Sequence, residues 1–140
     1  MQGDRSDRVL TVTTKTLAVL VALVATGQAA LAGRFMAGDF EAIEIHTEMA
    51  SVLGALVILT AIVAAARAVR RRSLGPELAV AGLLVAGTAT QAAVANINLL
   101  AVHVPLGVAV IALSYYHVAR TLRSPTAPTV RVLDEIGAGQ

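Results

Sequence analysis

From Met49 to Ala66 the chain runs for eighteen residues without a charge. A helix of that length reaches ~27 Å at 1.5 Å per residue, close to the ~30 Å hydrocarbon core of a bilayer. Three further apolar runs follow the same pattern, Leu17 to Gly33, Glu77 to about Ala95 and Leu99 to Ala119. The chain has 140 residues, of which 56% are hydrophobic and 14% charged, and its mean hydropathy is +0.75. That is too apolar for a soluble domain of this size, and too evenly apolar for one anchor carrying a globular head. The expected fold is all-α: a polytopic membrane four-helix bundle made of two helical hairpins. Its spans are expected at about 16–33, 42–69, 77–96 and 99–121, behind a polar segment 1–15 and ahead of a polar, flexible tail 124–140.

The breaks between runs carry turn signals. GRFMAGDFEA, from Gly33 to Ala42, has two glycines and an Asp39 placed to cap the next helix. Ser73-Leu74-Gly75-Pro76 puts glycine after one helix and proline at the start of the next. Asn96-Ile97-Asn98 is a short turn, and Pro105 falls in the first turn of the last run or kinks it. A second reading of the first run is a secretory signal, with Ala30-Leu31-Ala32 as the cleavage site.

Charge sets the orientation. Arg5, Arg8, Lys15, Arg67, Arg70, Arg71, Arg72, Arg120, Arg123 and Arg131 fall on one side of a four-span chain, and Arg34 alone falls on the other. By the positive-inside rule both termini and the middle loop are cytoplasmic, and the expected location is a plasma membrane. The arginines sit at the ends of apolar runs rather than on one polar face, which reads as topology and not as nucleic-acid binding. The cluster Arg67 to Arg72 also attracts anionic headgroups, at ~1 kcal/mol per arginine. Cysteine is absent, which removes disulfides, thiolate metal sites and a cysteine nucleophile.

A weak internal repeat draws attention to two histidines. GQAALAG, a loop and His46 in the first half match TQAAVAN, a shorter loop and His103 in the second, so Gln28 corresponds to Gln91 and His46 to His103. Both histidines open a helix on the outer side, and a pair of facing imidazoles is the axial ligand set of a six-coordinate haem. At roughly 100° per residue, Gly107, Val110, Ser114 and His117 share the stripe of His103, and a glycine one turn from the histidine leaves room for a flat macrocycle. Glu41, Glu44 and Glu48 form a stripe opposite His46, which disfavours a carboxylate-bridged metal site.

Each of these residues has a plainer role as well. A histidine at headgroup level hydrogen-bonds to lipid or to a loop carbonyl, although ionisable groups within spans are functional candidates by default. Gln28 and Gln91, set among small residues, act as polar glue between helices as readily as they touch a cofactor. His117 lies ~21 Å further in than His103, with no inner histidine on helix 2 to pair with. Its expected place is the interface, beside Tyr115, Tyr116 and Arg120.

Gln28, the acidic lead into IEIH at Ile43 to His46, Gln91, and VHVPLG at Val102 to Gly107 together resemble one four-helix half of haem A synthase. They also resemble a family of small four-helix actinobacterial membrane proteins, over about Leu17 to Arg123. The resemblance implies that His46 and His103 are haem ligands. Thr47 stands where the synthase pattern has arginine after the first histidine, the outer-loop cysteines are missing and only one half is present. The implied role is therefore haem binding rather than haem A synthesis.

The chain is expected to be a b-type cytochrome-like protein with one bis-histidine haem near the outer face, held by His46 and His103 with Gly107, Gln28 and Gln91 around it. Its partners would be the lipid bilayer, a quinone or a membrane redox complex, and further copies of itself. The alternative is a cofactor-free membrane subunit or scaffold. Two Tyr, two Phe and no Trp count modestly against a stacked quinone. With no nucleophile beside a base, no phosphate loop and no metal-ligand cluster, an enzyme of the soluble type is not expected.

Overall fold

The computed structural model describes residues 2–97 and 99–123. They form four helices: α1 Gln2–Met36, α2 Ala42–Arg71, α3 Pro76–Asn96 and α4 Leu100–Arg123. All four are long and apolar enough to cross a membrane. Each packs on its neighbours in sequence, and α4 returns to α1. The bundle is thus a closed square, with α1 facing α3 across one diagonal and α2 facing α4 across the other.

Large apolar side chains cover the outside. Leu23, Ile62 and Val108 are 60%, 59% and 62% exposed, an arrangement that suits hydrocarbon and not water. The interior follows a seven-residue seam on every helix, read from Thr14, Val21 and Gln28 on α1 and from His46, Leu53, Thr60 and Arg67 on α2. Glu77, Leu84 and Gln91 continue it on α3, and His103, Val110 and His117 on α4. A heptad seam keeps one face of each helix toward the bundle axis. Because neighbouring helices run in opposite directions, the seam sorts into three layers. Gln28, His46, Gln91 and His103 lie at one end, called the acidic end for Glu41, Glu44 and Glu48 nearby. Val21, Leu53, Leu84 and Val110 form the apolar centre together with Val57. Thr14, Thr60, Arg67, Glu77 and His117 lie toward the other, basic end. The charge and amide groups sit at the two rims, where desolvation is least costly, and the methyl groups fill the midplane.

The helix limits differ from the sequence expectation in instructive places. The polar segment 1–15 is helical from Gln2 onward, so α1 has 35 residues and extends ~52 Å, well past the hydrocarbon core. No proline interrupts it, and once a helix is nucleated by its apolar part it propagates through polar residues at little cost. Asp39 does not cap α2: the residue before the helix is Glu41, with no side-chain cap, because the Asp39 carboxylate accepts from Arg34 Nε at 2.9 Å. Gly38 turns this loop at φ +99°, a left-handed conformation open to glycine. At the other corner α2 ends on Arg72 in the left-handed region, and the Ser73 amide donates to the Ala68 carbonyl at 3.1 Å. Pro105 lies inside α4, which continues through it. The tail 124–140, with Arg131, and Asn98 of the α3–α4 turn lie outside the described residues.

Three interior hydroxyls are consumed locally, whereas the buried Thr88 Oγ1 has no hydrogen-bond partner among the described residues. Thr14 donates to the Leu10 carbonyl at 2.7 Å, Thr60 to Leu56 at 2.8 Å and Ser114 to Ile111 at 2.7 Å. Each of these three hydroxyls therefore enters the apolar interior already satisfied by its own helix.

Candidate functional site

At the acidic end the two helix-opening histidines face each other across the α2–α4 diagonal. The ring centroids of His46 and His103 are 6.4 Å apart, with 58° between the ring planes. On the sequence count the two differ in depth by about one turn, yet the rings lie side by side in the structure. His46 Nδ1 lies 3.1 Å from the backbone carbonyl of Gln28. A carbonyl can only accept, so Nδ1 is the donor in this contact, and in the tautomer that matches it Nε2 is the nitrogen left to bind a metal. Carbonyl anchoring of this kind is the usual way a protein fixes the tautomer and direction of a metal-ligating histidine.

The other diagonal supplies the glutamines. The side chain of Gln28 is buried, and neither its Nε2 nor its Oε1 has a hydrogen-bond partner among the described residues. Gln91 Oε1 and His103 Nδ1 are likewise buried and unpartnered. Three amide atoms and one ring nitrogen in this layer are thus without partners among the described residues, and a buried polar atom left unmet costs ~1–3 kcal/mol. Gln91 Nε2 meanwhile reaches α4 at Gly107, where a Cβ would stand 2.7 Å from it. The glycine thus permits close approach of Gln91, so the space beside His103 that the sequence reading gave to a macrocycle holds an amide in this structure. The structure brings together Gln28, His46, His103, Gly107 and Gln91 through these pairwise contacts.

A fit test separates a haem from a bare ion. Imidazole–metal bonds of ~2 Å leave ~4 Å between two axial nitrogens, and half a ring on each side places the ring centres roughly 6 Å apart, which matches the observed separation. Coaxial imidazoles differ freely in rotation about their common axis, so 58° between planes is compatible. A bare divalent ion needs further protein donors, and among the described residues no group of three or more His, Asp or Glu converges on a point. A haem brings its four equatorial nitrogens with it, so the spacing of the two imidazoles suits that group, while the Gln91 amide against Gly107 would have to move for the ring to enter.

His117 is placed differently from expectation. It is 1% exposed, and both ring nitrogens are buried without a partner among the described residues. Its shared stripe with His103 and Ser114 was the signal for burial, and it outweighs the neighbouring tyrosines. Tyr115 and Tyr116 do lie at the surface: the Tyr115 hydroxyl is 3.1 Å from Thr26 Oγ1, and Arg120 Nη1 donates to the Tyr116 hydroxyl at 2.9 Å. The sequence reading also missed a network at the basic end. Arg67, 7% exposed, donates through Nε to Glu77 at 3.0 Å and through Nη1 to Thr11 at 3.2 Å. The heptad from His46 through Leu53 and Thr60 to Arg67 would have marked this arginine as interior and set it apart from Arg70, Arg71 and Arg72.

A scan against protein-family models, a search among curated proteins and a search among solved structures each found no match, so the likeness to haem A synthase stands on the short sequence pieces named above.

Proposed function

We propose that this chain is a multi-pass membrane protein of the b-type cytochrome kind, which binds one haem at the acidic end between His46 and His103. The observation that carries the reading is the pair of facing imidazoles, 6.4 Å between centroids, in a layer where His103 Nδ1 and three side-chain atoms of Gln28 and Gln91 are buried without partners among the described residues. Bound there, the iron would supply one-electron exchange. The chain's own contribution is positional. The Gln28 carbonyl orients His46, the apolar layer of Val21, Leu53, Leu84 and Val110 keeps water from the inner side, and the amides of Gln28 and Gln91 offer donors to a polar ligand edge. In this reading the two hairpins descend from a duplication and both termini lie in the cytoplasm of a bacterium. Electrons then pass to or from a quinone or a membrane redox complex, within the membrane or in a homo-oligomer.

The contact of Gln91 with Gly107 favours a second reading, a cofactor-free subunit whose glutamines lock a closed bundle. An absorption spectrum of detergent-purified protein from haem-replete cells, oxidised and dithionite-reduced, decides between the two. The haem reading expects a Soret band and resolved visible bands, lost in both His46→Ala and His103→Ala. A colourless wild-type protein overturns it and leaves the scaffold.

A further inference from the structure

At the basic end, between the α2–α3 turn and α4, lies a cavity of about 280 Å³ whose wall includes Arg67, Arg71, Glu77 and Arg120. Three arginines against one glutamate leave the wall at a formal +2 (three positive, one negative). Glu77 is committed to Arg67 at 3.0 Å, with their side chains 20% and 8% exposed. Arg71 forms no ion pair among the described residues. The first turn of α3 opens on the same space through Pro76, Glu77 and Leu78, and Gly75 before it provides no side-chain cap. Pro76 has no amide hydrogen and the Leu78 amide donates to the Gly75 carbonyl at 3.0 Å, so the first turn of α3 adds the Glu77 amide and the positive end of the helix dipole to the field of the guanidinium groups. One turn from Arg120 on α4, His117 is buried with both ring nitrogens unpartnered among the described residues. The rest of the wall holds the polar Ser73 and an apolar side made of Ala64, Ala68 and Leu78.

We infer that this cavity binds a phosphate group, carried by an anionic phospholipid headgroup or present as free phosphate. Guanidinium forks match phosphate oxygens in geometry as well as charge. The cavity lies where the spans end, at headgroup depth, and its alanine and leucine side suits the glycerol and first acyl carbons of a lipid. It also divides the arginine cluster: Arg67 and Arg71 line it, whereas Arg70 reaches Asp7 at 3.2 Å instead. The site is independent of the haem reading.

The test is a titration of the detergent-purified full chain, followed by thermal unfolding and native mass spectrometry. Short-chain phosphatidylglycerol, phosphatidylcholine of the same chain length and inorganic phosphate are the probes. Selective stabilisation by phosphatidylglycerol, with retained one-to-one adducts, identifies a headgroup site, and equal binding of inorganic phosphate identifies a free-phosphate site. Arg71→Gln should weaken binding roughly fivefold and Arg71→Gln with Arg120→Gln roughly 25-fold, with Arg71→Lys recovering part of the loss. Arg70→Gln with Arg72→Gln, outside the cavity, should stay within about twofold of wild type, well short of the roughly fivefold expected for a cavity arginine. If the double variant loses helical content by circular dichroism, the exposed single change Arg71→Gln carries the result. Indifference to both phosphate probes overturns the proposal, and so does an Arg70/Arg72 loss as large as that of Arg71/Arg120, which would mean a diffuse basic surface.

Discussion

The two polar layers of the bundle solve the same problem in opposite ways. At the basic end Arg67 finds Glu77 and Thr11, and Thr14, Thr60 and Ser114 return their hydroxyls to their own helices. At the acidic end Gln28, Gln91 and His103 keep buried atoms without partners among the described residues, and His46 meets the Gln28 carbonyl across α1 and α2. A layer that satisfies itself holds helices together. A layer that does not leaves buried polar atoms at a cost, and it is there that the proposed haem would sit. His117 is the exception that joins the two, an unsatisfied group inside the satisfied layer.

The sharpest way to break this contrast is spectroscopic. His46→Ala or His103→Ala should abolish the Soret band altogether, whereas His117→Ala should leave it in place. A spectrum lost equally in all three would erase the distinction between the layers. Next in size is the ion pair: Arg67→Ala leaves Glu77 uncompensated and should cost ~3 kcal/mol of stability, read as the unfolding midpoint in detergent. The double change Arg67→Met with Glu77→Gln should recover most of that loss, because removing both charges removes the desolvation cost. In the central layer, an added Cβ at Gly87 would meet Val110 Cγ2 at 3.0 Å, so Gly87→Ala should cost about 1 kcal/mol, the low end of an overpacked site. Gly107→Ala meets only the flexible end of Gln91 and should be milder in the apo protein, so comparing the two glycines by thermal unfolding measures how rigid each layer is. Smallest is Tyr115→Phe, which removes the bond to Thr26 and should cost ~0.6 kcal/mol, a typical interhelical value in membranes.

Much of this architecture is legible in the sequence, for a definite reason. In a bilayer every backbone polar group must be satisfied within its own segment, so an apolar run between arginines has one solution. The breaks at Gly38, Gly75-Pro76 and Ile97 follow from the same turn chemistry. The first fifteen residues are harder to read, since their helicity comes from continuation of α1 and from contacts such as Asp7 with Arg70 at 3.2 Å, not from any pattern of their own. Asp39 illustrates a competition between two local partners, an uncapped helix and Arg34, which sequence spacing alone does not rank. At the site, the matched positions of His46 and His103 are visible in the repeat. The approach of Gln91 to Gly107 is not, because it depends on α3 packing against α4 and on how deep the amide reaches. The burial of His117 was recoverable from its stripe, yet the adjacent tyrosines and arginine gave a competing interface signal.

The seven-residue seam has a further consequence for assembly. Its middle rungs are interchangeable aliphatics, so a helix could slide by one heptad against its neighbour with little change in apolar contact. Such a slide of α1 against α2 would carry Gln28 away from His46 and Thr11 away from Arg67 at once, since both contacts belong to the same pair of helices. Buried polar groups at single seam positions select one alignment in coiled coils. Here the two rims act as stops at either end of a smooth track, and they index how far each helix is pushed through the membrane before the bundle locks.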